Sequence, residues 1–104
     1  MRVFDPDRIE AQPYEKRQLN VFYQVPEFKM RIIELPAGGE LPDCQMQDHV
    51  VFYALSGGAD VIVDGEVSTL AEGQCLVSPP ARFKMTSRKG VRVMGIQIAA
   101  APRS

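Results

Sequence analysis

An all-β fold, either a barrel or a two-sheet sandwich, is what this sequence predicts, on three observations. Apolar runs of roughly five to eight residues, rich in Val, Ile, Phe, Tyr and Thr, recur from Leu19 to Ile98, and branched or aromatic side chains suit a pleated, half-buried surface. Gly and Pro punctuate these runs at short, regular intervals, which is the spacing of strands and tight turns. No stretch keeps a helical period over a useful length.

The chain begins with an arm, residues 1–14, in which Asp5-Pro6 and Gln12-Pro13 disfavour regular structure. The arm is expected either to lie along the barrel or to cross to a partner subunit. Residues 15–104 are expected to form one domain, because 104 residues supply one modest core and not two. Strands are predicted at Leu19–Val25, Phe28–Leu35, His49–Leu55, Ala59–Val63, Glu66–Leu70, Gln74–Val77, Arg82–Thr86 and Val91–Ile98. Pro36-Ala37-Gly38-Gly39 and Pro79-Pro80 end their strands, since proline donates no ladder hydrogen bond and glycine accepts unusual backbone angles. Between Val63 and Glu66, Asp64-Gly65 suits the positive φ angles of a two-residue primed turn, so a tight hairpin is predicted there.

Twelve basic residues against thirteen acidic ones leave a formal charge of -1. A sequence pI near 5.8 offers no long-range attraction for phosphate backbones or anionic lipid. Neither nucleic acid nor membrane is therefore expected as a partner. The N-terminus has no apolar stretch of signal-peptide length, and no segment approaches the ~20 apolar residues of a membrane span, so a cytoplasmic location is expected. Cys44 and Cys75 are then expected as free thiols.

Gly38, Cys44, Met46, Val50 and Gly57 stand at the intervals G-x5-H-x-H-x3-E-x6-G. Gly73, Pro79, Ala81, Lys84 and Arg88 stand at the intervals G-x5-P-x-G-x2-H-x3-N. With the Asp64-Gly65 hairpin between them, the two patterns resemble the paired motifs of small single-domain cupins, over roughly half the chain. The resemblance implies a double-stranded β-helix, or jelly-roll, barrel. It also implies a single divalent ion held by the two histidines and glutamate of the first motif and the histidine of the second. By position those four places hold Cys44, Met46, Val50 and Lys84 here. Val50 offers no lone pair, Met46 is a weak soft donor, and a protonated Lys84 repels a cation. No metal and no cofactor is therefore expected, and the metal-dependent activities of the resemblance are not carried over.

Strand alternation places Phe52 and Ala54 on the same side as Val50, with Val51, Tyr53 and Leu55 opposite. Both faces are apolar. One must fill the barrel and the other must be covered by a second sheet, the arm or another copy, and a homodimer is expected. The candidate ligand-binding set is Cys44, Met46, Val50, Phe52 and Lys84. An inward Lys84 must find an anion, lose its proton or reach water; the alternatives are a carboxylate-binding or Schiff-base lysine, and a lysine that snorkels into solvent. Cys44 is read as a nucleophile near the barrel mouth or as a small core residue, and Cys75 as core. His49, the one histidine, points away from Val50 by alternation and makes a poor ligand. A soft-metal site would need Cys44 and Met46 to be joined by Cys75 or His49.

Three functions are compatible with these residues. The preferred one is a metal-independent module that binds a small molecule, carrying a carboxylate for Lys84, inside the barrel. The second is an enzyme, either an isomerase or lyase using Lys84, Cys44 or Tyr53, or a remodelled metalloenzyme. The third is a structural or regulatory partner protein with a filled barrel.

Overall fold

A computed structural model describes residues 1–100. Within them, a 3-10 helix at Tyr14–Asn20 precedes eight strands: β1 (Val21–Gln24), β2 (Phe28–Leu35), β3 (Glu40–Gln45), β4 (His49–Val63), β5 (Glu66–Ala71), β6 (Cys75–Ser78), β7 (Arg82–Thr86) and β8 (Val91–Ile98). All pairings among them are antiparallel. The N-terminal half of β4 lies between β8 and β6, and β8 continues through β2 to β1. The C-terminal half of β4 lies between β5 and β7, and β7 continues to β3. One long strand thus belongs to two sheets that face each other.

Glycine makes this possible. Gly57 has φ +71° and pairs with Val91, so β4 bends from one sheet to the other without leaving its ladder. A Cβ on Gly57 would lie 2.2 Å from the carbonyl oxygen of Gly90, a distance at which no side chain fits. The predicted strands His49–Leu55 and Ala59–Val63 are therefore the two arms of one 15-residue strand. Ser56-Gly57-Gly58, which reads as a break in one dimension, is a bend in three.

Inward side chains from the two sheets form the core. Val50, Val61, Phe83, Met85 and Val93 are fully buried, and the Phe52 and Phe83 rings meet edge to face at 5.7 Å, the arrangement that ring quadrupoles favour. The Asp64-Gly65 hairpin is as expected, with φ values of 49° and 85°. Strand β3 was not anticipated, because Glu40-Leu41-Pro42-Asp43-Cys44-Gln45 is too polar to read as a strand. It forms at an edge, where it pairs only with β7 and bulges between Leu41 and Cys44, so Pro42 costs no central ladder bond. The 3-10 helix was also missed, and it takes Leu19 and Asn20 out of the predicted first strand.

Cys75 requires a correction. It was expected in the core, but it is exposed on β6. Alternation turns Leu76 and Ser78 inward on that strand and leaves Cys75 and Val77 outside.

The arm lies along its own barrel. Arg92 on β8 donates from Nη2 and Nε to the carbonyl oxygen of Pro6 at 2.9 and 3.3 Å and also to that of Ile9, while its Nη1 pairs with Glu34 at 3.1 Å. Phe4 packs edge-on against Phe22 and Tyr23 of β1. No helix among the described residues is long and apolar enough to cross a membrane.

Candidate functional site

Between the sheets the core leaves a cavity of about 110 Å³. Several strands contribute to its wall, among them Ile33 and Leu35 on β2, Leu41 and Cys44 on β3, Val50 and Phe52 on β4 and Phe83 on β7, with Met46 from the turn before β4. Gln12, Tyr14, Arg17 and Asn20, from the arm and the 3-10 helix, complete the lining. Asn20 is only 4% exposed, and it holds this cover in place. Its Oδ1 accepts from the Gln12 amide at 2.6 Å, and its Nδ2 donates to the Gln12 carbonyl at 2.9 Å, a closed pair of bonds that fastens arm to helix.

Arg31 also lines this apolar space. Arg31 on β2 pairs across the ladder with Gly95 on β8, and Gly95 pairs in turn with Phe52 on β4. A Cβ on Gly95 would touch Ile33, Arg31 and Phe52 at 3.4 to 3.6 Å. The glycine therefore leaves room for the arginine stem and the aromatic ring to converge above it. Arg31 Nε is buried and has no hydrogen-bond partner. Burial pushes the guanidinium below its usual pKa, the charge of Arg17 pushes the same way, and Cys44 opposes them.

Of the five residues expected at the site, Cys44, Met46, Val50 and Phe52 all line the cavity. Lys84 does not. On β7 the inward residues are Phe83 and Met85, so Lys84 faces outward, with Nζ 3.9 Å from Glu40 Oε2 and about 39% of its side chain exposed. The motif interval made Lys84 a candidate for the inside, but strand phase places Phe83 there. The cations that line the cavity are Arg31 on β2 and Arg17 on the 3-10 helix, both outside the two motifs. A signal for Arg31 existed, since it shares a strand face with Ile33 and Leu35. Nothing in the one-dimensional pattern ranked that face above the equally apolar one of Met30 and Ile32.

The donor set does not fit a divalent ion. Val50 has no lone pair, Phe83 occupies the wall where the fourth ligand is implied, and a guanidinium stands in the cavity. Among the described residues, no three of His, Cys, Asp and Glu come together as a metal group. The sulfurs of Cys44 and Met46 lie 3.5 Å apart. The third donor that a soft ion needs does not reach them, because Cys75 is exposed on β6 and His49 is exposed at the start of β4. Of the other methionines, Met85 is fully buried in the core.

No family model and no curated protein matches the chain. Solved structures do. A conserved protein of unknown function from Streptococcus pyogenes superposes with a TM-score of 0.72 at 20% identity, over 81% of this chain and 73% of that one. A cupin superfamily protein from Desulfitobacterium hafniense superposes with a TM-score of 0.71 at 12% identity, over 76% of this chain and 73% of that one. The salicylate 1,2-dioxygenase of Pseudoaminobacter salicylatoxidans gives a TM-score of 0.66 at 20% identity, over 70% of this chain but only 20% of the enzyme. Several of the structural neighbours are cupins by name, and the chain has their jelly-roll fold. Likeness at this level concerns the fold, and what the barrel does depends on its own side chains.

Proposed function

We propose that this chain is a metal-independent binding module for a small carboxylic acid, held inside the barrel. Cys44, Met46, Val50 and Phe52 surround the apolar body of the ligand, and Arg31 receives its acid group. The observation that carries this reading is the buried Arg31 Nε without a partner, beside an apolar cavity. A desolvated donor left unpaired costs about 1–3 kcal/mol, and an entering carboxylate removes that cost through a charge-assisted, fork-shaped pair of bonds. The volume limits the ligand. An engineered apolar cavity of about 150 Å³ holds benzene, so about 110 Å³ accommodates a body of about four to five heavy atoms.

Thermal unfolding of the purified chain against a panel of short carboxylic acids tests this reading. At a concentration one hundred times Kd, a ligand that binds only the folded state adds about 2.7 kcal/mol. Arg31→Met is expected to abolish the shift, and Lys84→Met is expected to leave it unchanged. A panel in which no acid raises the midpoint, or one in which only Lys84→Met removes the shift, overturns the proposal.

A further inference from the structure

Arg31 is not the only cation at the cavity. Arg17, on the 3-10 helix, lines it as well. Its guanidinium lies 4.2 Å from the ring centroid of Tyr14, and Nη1 donates to the Tyr14 carbonyl at 3.1 Å. Stacking and hydrogen bond together aim the side chain from its own turn, and that turn is fastened by the Asn20–Gln12 pair. Neither arginine has a carboxylate within ion-pair distance among the described residues. Arg31 nevertheless feels Arg17's charge, which helps to lower its pKa. Two uncompensated cations at one small cavity repel each other, and the fold holds them there.

Building on the carboxylate reading above, we infer that the ligand's acid end lies between Arg31 on the barrel wall and Arg17 on the helix, so that the cavity selects a compact dicarboxylate over a monocarboxylate of similar size. One carboxylate pairs with the wall arginine and neutralises one charge. The second carboxylate meets the helix arginine at the cover, where the planar guanidinium presents its remaining donors. Arg17 is thus the charge-counting residue of the site, while Arg31 is required for any acid to bind.

Isothermal titration of the full chain with malonate and with butyrate tests the inference. Malonate is expected to bind the unaltered chain about tenfold or more tightly than butyrate at low salt. In Arg17→Gln that ratio is expected to fall to within about twofold. Arg17 is exposed, so its truncation leaves the barrel intact. Arg17→Lys, which keeps the charge and loses the fork, is expected to retain part of the preference. A ratio near one in the unaltered chain, or a preference that survives Arg17→Gln, overturns this inference and leaves the carboxylate reading standing. Absence of binding by both acids overturns the carboxylate reading and this inference with it.

Discussion

Replacing Arg31 by methionine is expected to make the unliganded protein more stable, a sign opposite to that of most buried substitutions. Arg31 Nε is desolvated without a partner, the charge of Arg17 further disfavours the charged guanidinium, and methionine keeps much of the stem volume while discarding the charge. An unpaired buried donor costs about 1–3 kcal/mol. Only Nε among the guanidinium nitrogens is a buried atom without a partner, so the lower end applies, about 1 kcal/mol. For a domain of 104 residues this corresponds to a rise of about 4–8 °C in the unfolding midpoint. Calorimetry or circular dichroism without added ligand measures the shift, and the same variant in saturating acid should show no further gain. A fall in the midpoint by a similar amount would refute the reasoning, because it would mean that the guanidinium is satisfied in the folded state and serves the barrel, not a ligand.

Gly57→Ala is expected to destabilise by more than about 3 kcal/mol, since the left-handed backbone costs about 1–2 kcal/mol and the new Cβ drives into the Gly90 carbonyl. Gly38→Ala, at φ +77° with nothing within 4 Å of its Cβ, should cost only the backbone part, about 1–2 kcal/mol; urea denaturation of the pair separates the two contributions, and equal losses would show that the contact at Gly57 relaxes freely. Lys84→Met should change stability by less than about 1 kcal/mol, because its pair with Glu40 is exposed and long, and a larger loss in the same assay would contradict the outward placement. A homodimer is proposed on the apolar outer face of the first sheet, where Tyr53, Val77 and Ile98 are exposed. Light scattering at micromolar concentration should return twice the 11.6 kDa chain mass, and the monomer mass would remove the proposal.

Strand content, the Asp64-Gly65 hairpin and the cupin-like spacing of the two motifs were legible in the residues themselves, because turn chemistry and alternation are local. Four cavity residues could be named as well: the intervals of the first motif supplied Cys44, Met46 and Val50, and alternation along β4 supplied Phe52. The interval of the second motif makes Lys84 a candidate for the cavity and leaves open whether it faces inward or reaches solvent; the phase of β7 decides this by turning Phe83 inward. Cys75 was expected in the core and is not there, since the phase of β6 is set by its pairing with β4 and not by its neighbours in sequence.

What the sequence by itself determined is an all-β chain whose metal-ligand positions hold side chains unable to bind a hard ion. Only the tertiary structure decided which cation meets the cavity. Arg31 acquires its meaning from Gly95 and Phe52 beside it on other strands, and Arg17 from a 3-10 turn folded over the same space. Desolvation is a property of everything that surrounds a group in three dimensions, so an arginine whose Nε is buried without a partner and a half-exposed lysine look alike until the sheets close around one of them.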